Sequence, residues 1–157
     1  MSDGTERIAV IVSRFNRAVT DNLLEGARKA IREYKLPFTD DDVYLVPGAF
    51  ELPLVALEAA QNDAYDGVVC LGAVIRGETP HFDYVCEQAA AGIQQAALAT
   101  TKPIAFGVLT TDDIEQALAR AGGEVGNKGY EAVVTVLETL EVLARIRAMP
   151  LLDEDDG

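Results

Sequence analysis

The sequence contains few of the residues on which disulfide, metal and nucleic-acid binding depend. It has two cysteines and one histidine, too few for a disulfide framework or a Cys/His metal cluster. Only 13 of its 157 residues are basic, against 26 acidic ones, and a net charge of −13 argues against nucleic acid as a partner. We therefore expect no metal site and no nucleic-acid ligand, and we interpret Cys70 and Cys86 as small core residues.

The sequence also lacks long apolar runs and the common nucleotide and hydrolase motifs. Its apolar stretches, such as residues 67–75, are far too short to cross a bilayer, and Met1–Glu6 has neither a basic nor an apolar signal region. We expect a soluble, cytoplasmic protein with no membrane partner. Dinucleotide-binding, P-loop and nucleophile-elbow motifs are missing, which removes the usual support for those functions.

Acidic residues are concentrated in runs at residues 40–42, 112–113 and 153–156. Each run singly fits a solvated face or a tail. Together they are equally compatible with adaptation to a salty interior, where a Debye length of roughly 3 Å at 1 M salt would mute self-repulsion.

Four apolar runs without strict alternation predict parallel strands that are covered on both faces. They lie at residues 8–12, 43–46, 67–75 and 104–109. Each precedes a helical pattern, with predicted N-caps at Thr20, Thr79, Thr110 or Thr111, and Asn127. The short fourth helix should end at Gly122-Gly123 and the last near Met149. The order predicts an α/β protein, a three-layer α/β/α sandwich with a four-stranded parallel, flavodoxin-like sheet. We expect one domain over residues 1–157, folded from about 7 to 149, with a flexible acidic tail at 150–157.

The last helix is apolar around more than one face. Such a helix needs a second surface to cover it, which predicts self-association, although a wide core-facing stripe would explain the same pattern.

Residues with binding chemistry follow each predicted strand. Phe15 offers a face for a planar heterocycle, Glu51 can accept from hydroxyls, and Arg76–Thr79 supplies backbone donors for an anion at a helix N-terminus. Arg120 is suited to a phosphate. His81, the only histidine, lies on the same turn as the anion site and could transfer protons near neutral pH. The residues alone predict a cofactor-free site for a planar heterocycle and a phosphorylated small molecule, without naming the reaction.

Five blocks occur in the order and spacing of a known family. They are Arg14–Asn16, Val46–Glu51, Gly72–Val85, Phe106–Thr110, and Arg120–Gly122 followed by Gly126–Gly129. From Ile8 to Leu143 the chain resembles the 6,7-dimethyl-8-ribityllumazine synthases of riboflavin biosynthesis. The resemblance implies a transferase that condenses 5-amino-6-(D-ribitylamino)uracil with 3,4-dihydroxy-2-butanone 4-phosphate, giving the lumazine, phosphate and water.

The resemblance also assigns a role to each site residue. His81 would transfer protons, and Glu78, Thr79 and Arg120 would bind the phosphate. The pyrimidine and its ribityl chain would contact Phe15, Ala49, Phe50, Glu51, Ala73, Val74, Ile75, Phe106 and Lys128. No cofactor is implied. The family builds this site between subunits of a homopentamer, with the Phe106 and Arg120 side donated by a neighbour, and some pentamers assemble further into a 60-subunit icosahedral capsid.

Two other functions fit the same layout. One is an archaeal-type riboflavin synthase, which the chain resembles less because Arg14–Asn16 replaces the Phe-Ala-Arg block after the first strand. The other is a flavin- or lumazine-binding shell protein without catalysis.

Overall fold

The computed structural model describes residues 4–152, and the four predicted strands form one parallel sheet. The strands are β1 (Ile8–Ser13), β2 (Val43–Val46), β3 (Gly67–Ile75) and β4 (Ile104–Thr111). Their order across the sheet is β2-β1-β3-β4. Cys70 lies between Ile11 of β1 and Phe106 of β4, so β3 is central and β4 is an edge strand.

Helices cover both faces of this sheet. They are α1 (Arg17–Glu33), α2 (Leu52–Gln61), α3 (His81–Thr100), α4 (Ile114–Ala119) and α5 (Lys128–Arg147). Val10 packs with α1 and α5 in one core, whereas its neighbour Ile11 packs with α2 and α3 in the other. Because successive strand residues face opposite sides, both must be apolar, which explains the continuous runs. The predicted three-layer, flavodoxin-like fold is confirmed.

Of the four predicted helix caps, the one at Asn127 is confirmed and the other three are wrong. The Asn127 side chain caps α5 by accepting from the backbone N–H of Gly129 at 2.8 Å. Helix α1 begins at Arg17, so Thr20 is buried inside it instead of starting it. Helix α4 is capped by Asp113, whose carboxylate accepts from the Gln116 N–H at 2.8 Å, and not by either preceding threonine. The structure uses Asp113 because a carboxylate caps at least as well as a hydroxyl.

The start of α3 is shifted by one residue from the prediction. Pro80 occupies the N-cap position and His81 is the first helical residue. Thr79 still contributes, because its hydroxyl accepts from the His81 N–H at 3.4 Å.

A small antiparallel hairpin, β5 (Ala121–Gly123) and β6 (Gly126–Asn127), separates α4 from α5 and was not predicted. Helix α4 therefore ends at Ala119, before the predicted Gly122-Gly123. Gly122 and Gly126 have φ angles of 97° and 89°, a region that glycine occupies without strain. A short Gly-rich pair of strands carries no apolar alternation, so nothing in the hydropathy pattern marked it.

Part of α5 packs on the core and part does not. Val133 and Val136 are fully buried, whereas Val142 and Ile146 are more than half exposed, as is Met149 just beyond the helix. Pro150–Leu152 are exposed and have no regular structure. Most of the predicted tail, residues 153–157, lies outside the described residues.

The two cysteines differ in how deeply they are buried. Cys70 is fully buried in β3, and burial raises the pKa of its thiol to about 12. Cys86, predicted as a second core residue, is only partly buried on α3, because that turn of the helix faces the chain's surface. In the described part of the chain, no helix is long and apolar enough to cross a membrane.

Candidate active site

A cleft of about 530 Å³ opens at the carboxyl end of the sheet, where the sequence predicted the site. Ligands bind at this edge in parallel α/β sheets, because the loops that follow neighbouring strands meet there. The cleft is lined by loops after β1, β2 and β3 and by the first turn of α3. The lining residues are Phe15, Asn16, Gly48, Ala49, Phe50, Glu51, Ala73, Val74, Ile75, Gly77, Thr79, His81, Phe82, Tyr84 and Val85.

The loop after β1 presents an aromatic ring to the cleft. The backbone N–H of Arg14 donates to the Val46 carbonyl at 2.8 Å, and that of Phe15 donates to the Pro47 carbonyl at 3.2 Å. These bonds hold the loops after β1 and β2 together. The Phe15 side chain is 71% exposed, so its ring face is available to a ligand.

The loop after β2 holds Glu51 in a fixed orientation. Its Oε1 accepts from the Gly48 backbone N–H at 2.9 Å. That bond occupies one carboxylate oxygen and leaves Oε2 for hydroxyl donors. Phe50, next to it, is 58% exposed and supplies an apolar wall.

The end of β3 contributes backbone groups. Its pairing with β1 ends at Leu71, whereas its pairing with β4 continues to Ile75. Residues 73–75 therefore lack β1 alongside them, and the loop after β1 takes its place. The Asn16 side-chain amide donates to the Ala73 carbonyl at 2.8 Å.

His81 stands on the first turn of α3, at the rim of the cleft, and is exposed. The backbone N–H groups of such a first turn, together with the helix dipole, favour an anion. Thr79 lines the cleft beside it, whereas Glu78 is exposed and does not. The turn thus brings a hydroxyl, backbone N–H groups and an imidazole together.

Cys86 lies one turn further along α3, near Asp83. Burial raises the pKa of its thiol, and the charge of Asp83 raises it further. Because the thiolate is the nucleophilic form, Cys86 is unsuited to nucleophilic chemistry at neutral pH.

Besides Glu78, three predicted site residues lie outside the cleft. Phe106 is on β4, the edge strand, and is 36% exposed. The Arg120 guanidinium donates to the Gln116 carbonyl at 2.9 Å, and the Lys128 backbone N–H donates to the Arg120 carbonyl at 2.9 Å. Arg120 and Lys128 are therefore neighbours, joined across the β5–β6 hairpin, but they do not line the cleft.

The cleft also contains residues that the sequence analysis did not assign to the site, chiefly Asn16, Phe82 and Tyr84. Tyr84 follows His81 by three residues on α3, a spacing that puts both on one helix face. That spacing is the feature of the sequence that could have assigned Tyr84 to the site. Asn16 could be inferred from its place directly after Phe15.

A larger groove of about 720 Å³ lies between α1, the hairpin and α5. Its lining includes two cationic residues, Lys29 and Arg32, and two acidic residues, Glu25 and Glu131, so these charges cancel. None of the predicted site residues lines it, so its size does not make it the better candidate. In the described residues, no group of three or more His, Cys, Asp or Glu side chains is placed to hold a metal ion.

The chain is similar to known proteins over most of its length. The 6,7-dimethyl-8-ribityllumazine synthase family model matches residues 5–144. The chain is 48% identical to the 6,7-dimethyl-8-ribityllumazine synthase of Campylobacter lari over 145 residues, which cover 92% of this chain and 93% of the relative. It is 52% identical to the Aliarcobacter butzleri enzyme of that name, with 88% and 89% covered, and 49% identical to the Helicobacter pylori enzyme, with 92% of each covered.

Neither alternative function has comparable support, since every relative named above is a 6,7-dimethyl-8-ribityllumazine synthase. Matches of this identity extend over nearly the whole described structure, cleft included. The chain therefore belongs to the 6,7-dimethyl-8-ribityllumazine synthase family, transferases of riboflavin biosynthesis.

Proposed function

We propose that the protein joins 5-amino-6-(D-ribitylamino)uracil to 3,4-dihydroxy-2-butanone 4-phosphate in this cleft. One observation carries the proposal: the cleft combines an exposed aromatic ring, a carboxylate held in a fixed orientation, strand backbone that β1 does not pair, and a histidine on a helix N-terminus. These are the groups that a planar heterocycle, a polyol chain and a phosphate ester require.

The pyrimidine would stack on Phe15, and its polar edges would meet the backbone of Ala73, Val74 and Ile75. Aromatic stacking suits a planar ring and leaves its edges free for hydrogen bonds. The ribityl hydroxyls would donate to Glu51 Oε2, beside Ala49 and Phe50. Because Gly48 already holds Oε1, the carboxylate would be oriented before the substrate arrives.

The phosphate would sit against Thr79 and the backbone N–H groups at the start of α3. Glu78 would contribute through its backbone, since its carboxylate would repel a phosphate. Arg120 would add a guanidinium, which can bind phosphate through two parallel hydrogen bonds.

His81 would move protons in the steps that follow. The pyrimidine's amine attacks the ketone and loses water to form an imine, phosphate then leaves by elimination, and ring closure releases a second water. Elimination requires loss of a carbon-bound proton, and imidazole suits that transfer near neutral pH. No cofactor is needed, because holding two reactants in the right orientation can lower the activation barrier by roughly 7–11 kcal/mol.

The complete site would form between two chains of a homopentamer. Arg120, Lys128 and Phe106 lie outside the cleft of their own chain, so they would complete the cleft of a neighbour. Exposed Val142, Ile146 and Met149 supply apolar surface that another subunit could cover. Further assembly into a 60-subunit capsid is compatible with this arrangement. Unpaired Cys70 and Cys86 suit a reducing, cytoplasmic location.

The activity is tested by supplying both substrates and following lumazine fluorescence. We expect lumazine only when both are present. Riboflavin formed from lumazine alone would identify a riboflavin synthase instead, and binding without turnover would identify a shell or carrier protein.

The shared site is tested by co-expressing two chains with different tags, one His81→Ala and the other Arg120→Ala, and isolating oligomers that carry both tags. If neighbours complete each cleft, about a quarter of the sites in random mixed oligomers contain both native residues, and activity returns to about that fraction of wild type. Separately purified variants, mixed without exchange, are the control. Mixed oligomers no more active than this control would contradict a shared site.

A further inference from the structure

Arg76, the first residue after β3, makes contacts in three directions. Its backbone N–H donates to the Thr111 carbonyl at 2.9 Å, which extends the β3–β4 pairing by one residue. Its Nε donates to Asp112 Oδ1 at 2.8 Å, and one terminal nitrogen lies 3.6 Å from Asp83 Oδ1. The guanidinium also stacks 4.4 Å from the centre of the Phe82 ring.

These contacts clamp the turn between β3 and α3 at both ends. Asp112 follows β4, whereas Phe82 and Asp83 belong to the first turn of α3, directly after His81. Phe82 is 9% exposed and lines the cleft. Between the clamped ends, residues 77–80 are exposed, and a Cβ at Gly77 would meet no atom within 4 Å. Arg76 therefore restrains a turn that little else packs against.

The clamp continues towards Arg120. The Asp112 backbone N–H donates to Gln116 Oε1 at 2.9 Å, and the Gln116 carbonyl accepts from the Arg120 guanidinium at 2.9 Å. One hydrogen-bonded chain thus runs from the turn that holds Thr79 to Arg120, the cation proposed for the phosphate in the neighbouring subunit's cleft.

We propose that Arg76 is a positioning residue for the phosphate-bearing substrate, acting on the 77–80 turn through its clamp on Asp112, Asp83 and Phe82. The proposal rests on the function proposed above. Arg76 does not line the cleft, and its donors are already directed at two carboxylates.

A role confined to stability does not fit the setting of these contacts. The Arg76 side chain is half exposed, and both partner carboxylates are more exposed still. Exposed ion pairs contribute little to global stability, because solvent and salt screen them. Losing the clamp should therefore affect the turn and leave unfolding almost unchanged.

The test is steady-state kinetics with each substrate varied in turn, on Arg76→Gln, Arg76→Lys and Asp112→Asn. For Arg76→Gln we expect the KM for the butanone phosphate to rise about tenfold, with the pyrimidine KM within about twofold of wild type. Arg76→Lys keeps the charge but loses the planar fork, so it should fall between wild type and Arg76→Gln. Because Arg76 and Asp112 act as a unit, a double variant with Arg76→Gln and Asp112→Asn should have a KM no higher than that of Arg76→Gln alone.

Arg28→Gln is the matched control. Arg28 pairs with Asp40 at 3.0 Å and stacks 5.9 Å from the Phe38 ring, but it lies far along α1 from the cleft. The Arg28→Gln substitution removes the same kinds of contact, an ion pair and a cation–ring contact, and should leave both KM values unchanged. Thermal unfolding midpoints of Arg28→Gln and Arg76→Gln that both equal the wild-type midpoint would exclude a general loss of stability.

Asp112→Asn separates positioning from direct binding. Positioning predicts a raised KM for the butanone phosphate, because the clamp weakens. If Arg76 gripped the phosphate itself, removing a competing carboxylate would leave that KM unchanged or lower it, and this result would overturn the proposal. Equal rises in both KM values for Arg76→Gln would overturn it as well.

The proposed reaction is judged separately, on the wild type. Should the wild type form no lumazine, calorimetric titration with inorganic phosphate decides the role of Arg76. Weaker phosphate binding by both Arg76→Gln and Asp112→Asn, but not by Arg28→Gln, supports positioning, and unchanged binding refutes it.

Discussion

The side-chain amide of Asn16 donates a hydrogen bond to the backbone carbonyl of Ala73 at 2.8 Å. This bond crosses from the loop after β1 to the end of β3, beyond the point where the two strands pair. Asn16 can make it because its φ is 63°, in the left-handed region that asparagine tolerates better than most residues. Phe15 and Ala73 are therefore held in register by one side chain.

We predict that Asn16→Ala lowers the free energy of unfolding by about 2 kcal/mol, since it removes the hydrogen bond and leaves alanine at a positive φ. Asn16→Gly removes only the bond and should lose less. Both variants should raise the KM for the pyrimidine severalfold. Urea unfolding and steady-state kinetics measure the two effects. If Asn16→Ala were no less stable than Asn16→Gly, the positive φ at this position would not contribute to the loss of stability.

His81→Ala should slow turnover by about 10- to 100-fold without abolishing it. The remaining rate is expected because the other cleft residues still hold the two substrates in position. Because His81 is exposed on the first turn of α3, its loss should leave the thermal midpoint unchanged. Single-turnover rates of lumazine formation are the measurement, and a rate equal to that of wild type would remove His81 from the chemistry.

The fold could be predicted from the sequence because the strands are continuous apolar runs, and in β1 and β3, the two inner strands, both faces are buried. Val10 and Ile11 point into different cores, so successive positions of an inner strand are both apolar, and four apolar runs marked the four strands. Helix boundaries were less accurate. Thr20 and Asp113 are both residues that cap helices, and only the surrounding structure decides that Asp113 does so and Thr20 does not.

The candidate site could be predicted in part. Residues that directly follow β1, β2 and β3 line one cleft, because the carboxyl ends of parallel strands share an edge. Arg120 and Lys128 are adjacent only because an unpredicted hairpin folds Lys128 back onto Arg120. The clamp made by Arg76 could not be foreseen, since its partner Asp112 is 36 residues away and looked like part of a solvated acidic run.

Stability at alkaline pH should depend on Tyr65, at the opposite end of the sheet. Its hydroxyl donates to Asp42 Oδ1 at 2.8 Å and lies 2.6 Å from the Tyr44 hydroxyl. Burial, followed by these two hydrogen bonds, raises the pKa of Tyr65 above its ordinary value of 10.0. The unfolded chain therefore loses this proton first as the pH rises. The stabilising contribution is complete below pH 10.0 and declines above it by about 1.4 kcal/mol per pH unit.

We expect Tyr65→Phe to lower the free energy of unfolding by about 1–2 kcal/mol near neutral pH, because the nearly buried Asp42 loses a donor. The same variant should show a shallower loss of stability above pH 10.0 than wild type does. Urea titrations at one protein concentration measure both effects. Tyr84→Phe, which changes an exposed tyrosine, is the control. An alkaline slope identical in Tyr65→Phe and wild type would contradict the assignment.

Assembly should strengthen with ionic strength. Each chain carries a net charge of −13, so subunits repel one another while apolar residues such as Val142 and Ile146 favour contact. Raising salt from about 0.1 M to 1 M shortens the Debye length from about 10 Å to 3 Å, which suppresses the repulsion between exposed charges. Sedimentation and light scattering should show larger species at high salt. Chloride and sulfate compared at equal ionic strength separate screening from salting-out, because only salting-out depends on the identity of the ion. A size distribution that stays constant across both series would exclude charge repulsion as the factor that limits assembly.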